Sequence, residues 1–162
     1  MSDLLIKSPM EYEPLRKNRF LFRFPSDLGI QEWWVASGSR PSYNNTSVEI
    51  PFLNTSNYVI GRYKWEPMNL TLRDPIGPSA SQAVMEWVRL HSESGTGRQG
   101  YAVAYKRDII LEMLDPTGTA ISQWIIKNAM ITDVKFGELD YNSDDLATII
   151  ITIQPQYCVL SF

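Results

Sequence analysis

From Asn18 onward, apolar and polar residues alternate with a period of two, and one stretch alone breaks the rhythm. Successive side chains on a strand point to opposite faces, so this pattern specifies strands with one buried side. In NRFLFRF, Phe20, Phe22 and Phe24 share a face against Arg19, Leu21 and Arg23. Residues 33–39, 48–53 and 58–65 read as strands, and Asn54, Thr55, Ser56 and Asn57 turn the last two into a hairpin. Met68, Leu70 and Leu72 alternate with Asn69, Thr71 and Arg73 until Asp74 and Pro75 stop the strand. Strands resume at 108–114, 121–127, 129–136 and 146–156, with DPTG at 115–118 as a turn.

The strongest of these is ATIIITIQ. Ala147, Ile149, Ile151 and Ile153 fall on one face, and Thr148, Thr152 and Gln154 join Ile150 on the other. Burying each isoleucine is worth about 1.5–3 kcal/mol, so this strand anchors a core.

The rhythm breaks after Pro78. Ser79 and Gln82 have capping-box spacing, and Ala80, Ala83, Val84, Trp87 and Val88 follow at helical intervals. The spacing predicts one helix over residues 79–92, with Gly95 near its end. About eight strands and one helix imply a mainly β chain, a sandwich or partly closed barrel. No repeat or linker divides residues 1–162, which read as one domain with an arm at 1–17 and a tail at 158–162.

Composition removes several functions. Cys158 is the single cysteine, which excludes an internal disulfide or a multi-cysteine zinc site and fits a reducing compartment; the opening residues lack the apolar run of a secretory signal. Residues 146–162 carry no charge, but Gln154, Pro155 and Gln156 interrupt them, and a membrane span needs about 20 apolar residues. A net charge of −3 argues against strong non-specific DNA binding.

No motif passes the test of its context. GTGRQG at 95–100 matches a dinucleotide fingerprint but follows a helix instead of opening one, so its glycines are loop glycines. DYNSDD at 140–145 starts like a calcium loop, yet Asp145 stands where the turn needs glycine and Ile151 where it needs glutamate. It reads as a solvated turn. His91, the only histidine, sits where a helix C-terminus favours a polar cap, and Cys158 lacks the cationic neighbours of a reactive thiol. The Asn-X-Ser/Thr triplets at Asn44, Asn45, Asn54 and Asn69 carry little without secretion. No catalytic residue, metal site or cofactor is expected.

What remains points to self-association. Arg16, Lys17, Arg19 and Arg23 form a run without an acid, whereas residues 133–145 set five acids, among them Glu138, Asp140, Asp144 and Asp145, against Lys135. Such opposite patches suit complementary contacts between copies. The low-charge stretches WWVASGS and IPFLNTSNYVIG offer aromatics and strand edges that a solitary protein normally blunts.

Four segments, GRYKWEPMNLTLRD, AVMEWVRLH, YKRDIILEML and NAMITDVKFGELDYNSDDLATIIITIQPQY, resemble the tail tube protein of contractile-tailed bacteriophages over about residues 58–157. The resemblance implies two antiparallel sheets with a flanking helix, hexameric rings stacked into a hollow tube within a sheath, and DNA ejected through the centre. It implies as partners further copies of the chain, the sheath, baseplate and tail-terminator proteins, the tape-measure protein and genomic DNA held without sequence-specific binding. The location implied is the virion, after assembly in the host cytoplasm, without membrane insertion.

Carried onto this chain, residues 48–60 become the contact hairpin, with Phe52, Leu53, Asn54, Thr55, Ser56, Asn57 and Tyr58 at its tip. Pro41, Ser42, Tyr43, Asn44, Asn45 and Thr46 become a stacking loop. A small or polar face is expected toward the channel. A type VI secretion-like tube protein or a baseplate or tail-end ring protein is the nearest alternative. More distant are a monomeric sandwich binding a ligand through Trp33, Trp34, Tyr63 and Trp65, and nucleic-acid binding through Arg16, Lys17, Arg19 and Arg23.

Overall fold

The structure, a computed structural model, describes residues 13–162, so most of the arm read at 1–17 lies outside the described residues. The described residues form strands β1 (Phe20–Arg23), β2 (Val35–Gly38), β3 (Tyr43–Phe52), β4 (Thr55–Trp65), β5 (Met68–Arg73), β6 (Arg107–Leu114), β7 (Ala120–Lys135), β8 (Thr148–Gln154) and β9 (Tyr157–Leu160). Helix α1 (Ala80–His91) lies between β5 and β6.

Every pairing is antiparallel. One sheet runs β1-β6-β7-β9 and the other β2-β5-β8-β7, joined because β7 belongs to both. The result is an open barrel: β1 and β2 end the path without bonding to each other. The hairpin β3–β4 stands apart as its own two-stranded sheet.

The sequence reading divides β7 at Asn128, and the reason is visible there. Asn128 takes a left-handed φ of 51°; β7 pairs with β9 and nearly all of β6 before the kink, keeps Arg107 of β6 opposite Ala129 just past it, and pairs with β8 from Met130 on. Asp108 holds the corner: one carboxylate oxygen accepts the Asn128 N–H at 3.0 Å and the other accepts Lys127 Nζ at 3.0 Å. The Asn128 N–H holds the Asp108 carboxyl below its ordinary pKa against the opposing effect of burial, and the Lys127 ammonium adds to the lowering.

The core lies between the sheets and under α1. Met68, Leu70 and Leu72 on β5 face it beside Ile149, Ile151 and Ile153 on β8, all at most 2% exposed, while Ile150 is 41% exposed as the alternation requires. The Ser79 side chain accepts the Gln82 N–H at 3.3 Å, so α1 begins as read, and Ala80, Val84 and Trp87 are buried.

Four readings change. α1 ends at a Ser92 C-cap, whose N–H bonds the Val88 carbonyl, so Gly95 lies beyond the helix. Residues 32–34 form a 3₁₀ turn that buries Trp34, and only Val35–Gly38 of the predicted strand 33–39 joins a sheet. The predicted tail contains β9, whose Tyr157–Leu160 pairs with β7. A helical turn at Ala102–Tyr105 has too few residues for a sequence period; the Trp87 indole N–H, donated to the Tyr105 carbonyl at 2.8 Å, anchors it.

Candidate assembly interface

The hairpin is the largest part of the chain that its own core does not explain. None of the residues of β3 or β4 is buried. An isolated two-stranded ribbon is marginal in water, so its apolar content is informative. Val48 pairs with Val59, Ile50 with Asn57 and Phe52 with Thr55, which places Val48, Ile50, Phe52 and Val59 on one face. Pro51, Tyr58 and Ile60 share the other face with Glu49, whose carboxylate accepts the Ser56 hydroxyl at 2.6 Å. Phe52 is 71% exposed and Leu53, at the tip, 90%.

The tip carries a backbone cost. Leu53 and Asn54 alone connect the strands, and Leu53 has φ 51°. A left-handed conformation costs a non-glycine residue about 1–2 kcal/mol. Leu53 touches too little of its own chain to offset that cost, so the fold of one copy does not call for leucine there. Thr55 Oγ1 donates to the Phe52 carbonyl at 2.9 Å and fastens the tight turn.

The base, by contrast, is tied to the body. Tyr43 stacks on Tyr63 with centroids 5.8 Å apart and lies 5.0 Å from Trp65, which meets Trp124 of β7 edge-on at 6.3 Å. Between base and tip the register shifts, leaving Thr46 between paired Asn45 and Ser47. A Cβ on Gly61 would lie 2.6 Å from Thr46 Oγ1, so this bulge requires glycine.

These facts move several predicted site residues. The hairpin turn is Leu53–Asn54, not 54–57, and Thr55, Ser56, Asn57 and Tyr58 are strand residues of β4. Only Pro41 and Ser42 of the predicted stacking loop precede β3; Tyr43, Asn44, Asn45 and Thr46 lie within it. The polar run NNTS hid the strand, because both faces of its base are polar apart from the tyrosine.

The cationic run is less free than its sequence implies. Arg19 faces Glu13 at 3.6 Å, and Arg23 pairs at 3.2 Å with Glu112, a buried acid on β6 that also accepts Gln123 Nε2 at 3.5 Å. Arg16 and Lys17 line an open cleft beside β2. The acidic patch lies on the loop from β7 to β8, where Glu138, Asp140, Asp144 and Asp145 are exposed. Asp140 Oδ1 accepts the Asn142 N–H at 3.0 Å and the Ser143 hydroxyl accepts the Asp145 N–H at 3.3 Å, so the loop turns on its own side chains.

No chemistry gathers elsewhere among the described residues. No group of three His, Cys, Asp or Glu there is placed to hold a metal. The loop at 95–100 closes through Ser92–Gln99 bridging, and a Cβ on Gly100 would collide with the Leu90 carbonyl. His91 ends α1 with Nδ1 2.9 Å from the Ser92 hydroxyl and its ring edge-on to Tyr105. Trp34 is 1% exposed in the core while Trp33 is 59% exposed, and Tyr63 and Trp65 belong to the hairpin base; the four aromatics of the ligand-binding alternative therefore do not converge on one pocket.

Cys158 is buried on β9, and burial pushes its thiol up to about 11. The native thiolate fraction at pH 8 is then about a hundredfold or more below that of an ordinary cysteine. A thiol reagent should react at least that much more slowly with the native chain than with the chain in denaturant. The proton is held more tightly in the folded state, so this group's stabilisation is complete below the unfolded thiol pKa. It declines as pH rises from about 8.5 toward the folded value.

No helix among the described residues is long and apolar enough to cross a membrane. Comparison with curated protein sequences gives no match. In fold, the chain is similar to a chain of the anti-feeding prophage tube-terminating cap, with TM-score 0.75, 19% identity and 99% of each chain covered. It is similar to one of the sheath/tube terminator of PVC, an extracellular contractile injection system (TM-score 0.74, 17% identity, 94% of this chain and 99% of that one). A chain of the PVC sheath–tube complex gives TM-score 0.70 at 18% identity, covering 94% of this chain and 93% of that one. The sequence profile of the T4-like virus tail tube protein gp19 matches residues 54–159, and the chain belongs to that family.

Proposed function

We infer that the chain is a structural subunit of the inner tube of a contractile tail. Copies join into hexameric rings, the rings stack, and the resulting conduit passes DNA without catalysis or cofactor. The observation that carries this reading is the sheet β2-β5-β8-β7. Among the described residues, β2 bonds only to β5, and Asp133, Val134 and Lys135 of β7 bond only to β8, so both edges are free. β2 has neither charge nor proline to blunt its edge.

Four antiparallel strands alternate in direction, so β7 of one copy meets β2 of the next antiparallel, and rotation about an axis extends the sheet without a break. Six copies supply about 24 strands; at about 4.8 Å spacing these close a cylinder about 40 Å or more across, wide enough for a DNA duplex. Closure removes both edges of this sheet.

The face of this sheet turned from the core suits a channel wall. It presents Asn69, Thr71, Thr148 and Thr152, with Thr152 donating to Asn69 Oδ1 at 2.9 Å, alongside Ile150. Its charges are mixed, Asp133 and Lys135 on β7 and Arg73 on β5. Such a wall lacks the dense cationic rows that hold phosphates. The hairpin then reaches neighbouring copies, in the same ring or the next, and covers its apolar faces there. The partners of this reading are the sheath, baseplate, terminator and tape-measure proteins and genomic DNA in the lumen, and its place is the virion after assembly in the host cytoplasm.

A second reading keeps the ring and places it at the end of the tube. It is favoured by the likeness to the tube-terminating cap over 99% of both chains. Electron microscopy of the concentrated chain separates them: six-fold rings that stack into tubes support the first, and six-fold rings that stay single support the second. Particles of one copy at every concentration contradict both.

A further inference from the structure

The open seam of the barrel is shaped to receive something. A cleft of about 560 Å³ runs along the free edge of β2, between it and β1. Its floor is apolar, with Phe20, Phe22 and Val35; Trp33 stands at one end, 59% exposed, beside Arg73. The β1 and β2 backbones are held apart by side chains, since a Cβ on Gly38 would lie 2.7 Å from the Phe22 ring. Nothing else in the described chain fills the notch.

The segment that follows β7 has matching chemistry. Val134 faces its own core, and Phe136, two residues on, keeps that parity but lies past the strand end, 43% exposed. Gly137 then turns at φ 84°, and Glu138 and Asp140 follow, both exposed. In the ring reading, on which this rests, β7 lies antiparallel on a neighbour's β2. The chain beyond Lys135 therefore runs toward the N-terminal end of that β2, where Trp33 and Arg73 stand. An exposed phenylalanine is led to an apolar cleft, and an acidic stretch to an arginine that forms no ion pair within the described residues.

We propose that the seam cleft is the receptor for residues 136–138 of a second copy, with Phe136 seated against Trp33 and the cleft floor and Glu138 meeting Arg73. Phe136 then locks the annealed strands in register, which hydrogen bonds along three residues do weakly. This contact lies within a ring and differs from the hairpin's.

The test uses the full chain with Cys158→Ser as parent and Glu32→Cys with Leu139→Cys added, the first on the cleft wall beside Trp33 and the second just beyond the inserted segment. After assembly, a short bismaleimide should join copies into a covalent ladder ending at the ring size, with no ladder from dilute monomer. Phe136→Ala should raise the concentration needed for assembly at least tenfold while leaving the fold intact by circular dichroism. Assembled material that gives no ladder, or Phe136→Ala assembling at the parental concentration, overturns this contact and leaves the tube reading standing. Failure of the unaltered chain to form rings at all overturns the tube reading itself.

Discussion

Ile50→Ser, Phe52→Ser and Leu53→Ser, combined, should leave the monomer folded and raise the concentration needed for assembly by at least a hundredfold. The three side chains are 49%, 71% and 90% exposed, so the single copy loses little when they become polar. In the proposed assembly they are covered, and burying the remaining apolar surface is worth about 1 kcal/mol or more for each. A combined loss of about 3 kcal/mol corresponds to about a hundredfold in an association constant. Thermal unfolding and sedimentation on the same samples separate the effects: an unchanged midpoint with lost assembly is expected. Normal assembly would remove the hairpin from the interface.

The opposite pattern is expected from Ile151→Ala, which should cost about 3–4 kcal/mol and lower the unfolding midpoint by about 10 °C. Ile151 is 0% exposed and pairs across the second sheet with Leu70 on one side and Val134 on the other. Removing its methyl and methylene groups leaves a cavity at the centre of that sheet. Ile150→Thr, one residue away on the solvated face, should change stability by about 0.5 kcal/mol or less. Urea titration of the two variants checks the contrast; equal losses would mean that the strand's faces are wrongly assigned.

Those faces were legible because burial in a sheet imposes a period of two. Phe22, Leu70, Leu72, Ile149 and Ile151 are core residues on that ground alone, and the break in the period located α1 with its Ser79 cap. Where both faces carry similar residues the period vanishes, which is why the start of β3 at Tyr43 reads as a loop. β9 is only four residues long, and Pro155 interrupts the run before it. The corner at Asn128 registers as a boundary between two strands, whereas its cause, the Asp108 carboxylate twenty positions earlier, is a tertiary contact.

The candidate interface was legible in kind more than in position. Low charge and exposed aromatics marked the stretch around residues 50–61, but the tight Leu53–Asn54 turn and the bulge at Thr46 depend on cross-strand register. Arg23 in the cationic run at 16–23 reads as unpaired because its acid, Glu112, comes from a strand far along the chain. Phe136 gave no signal: alone past the end of a strand, it gains meaning only from the open seam.

Backbone hydrogen exchange, compared between the dilute chain and concentrated assemblies, tests most directly whether copies complete one another's sheets. Peptides covering Val35–Gly38 and residues 133–135 should exchange quickly in the dilute chain and slow by at least tenfold on assembly, while the interior strand β8 stays protected in both. Exchange at those two edges that is unaffected by assembly would contradict the account.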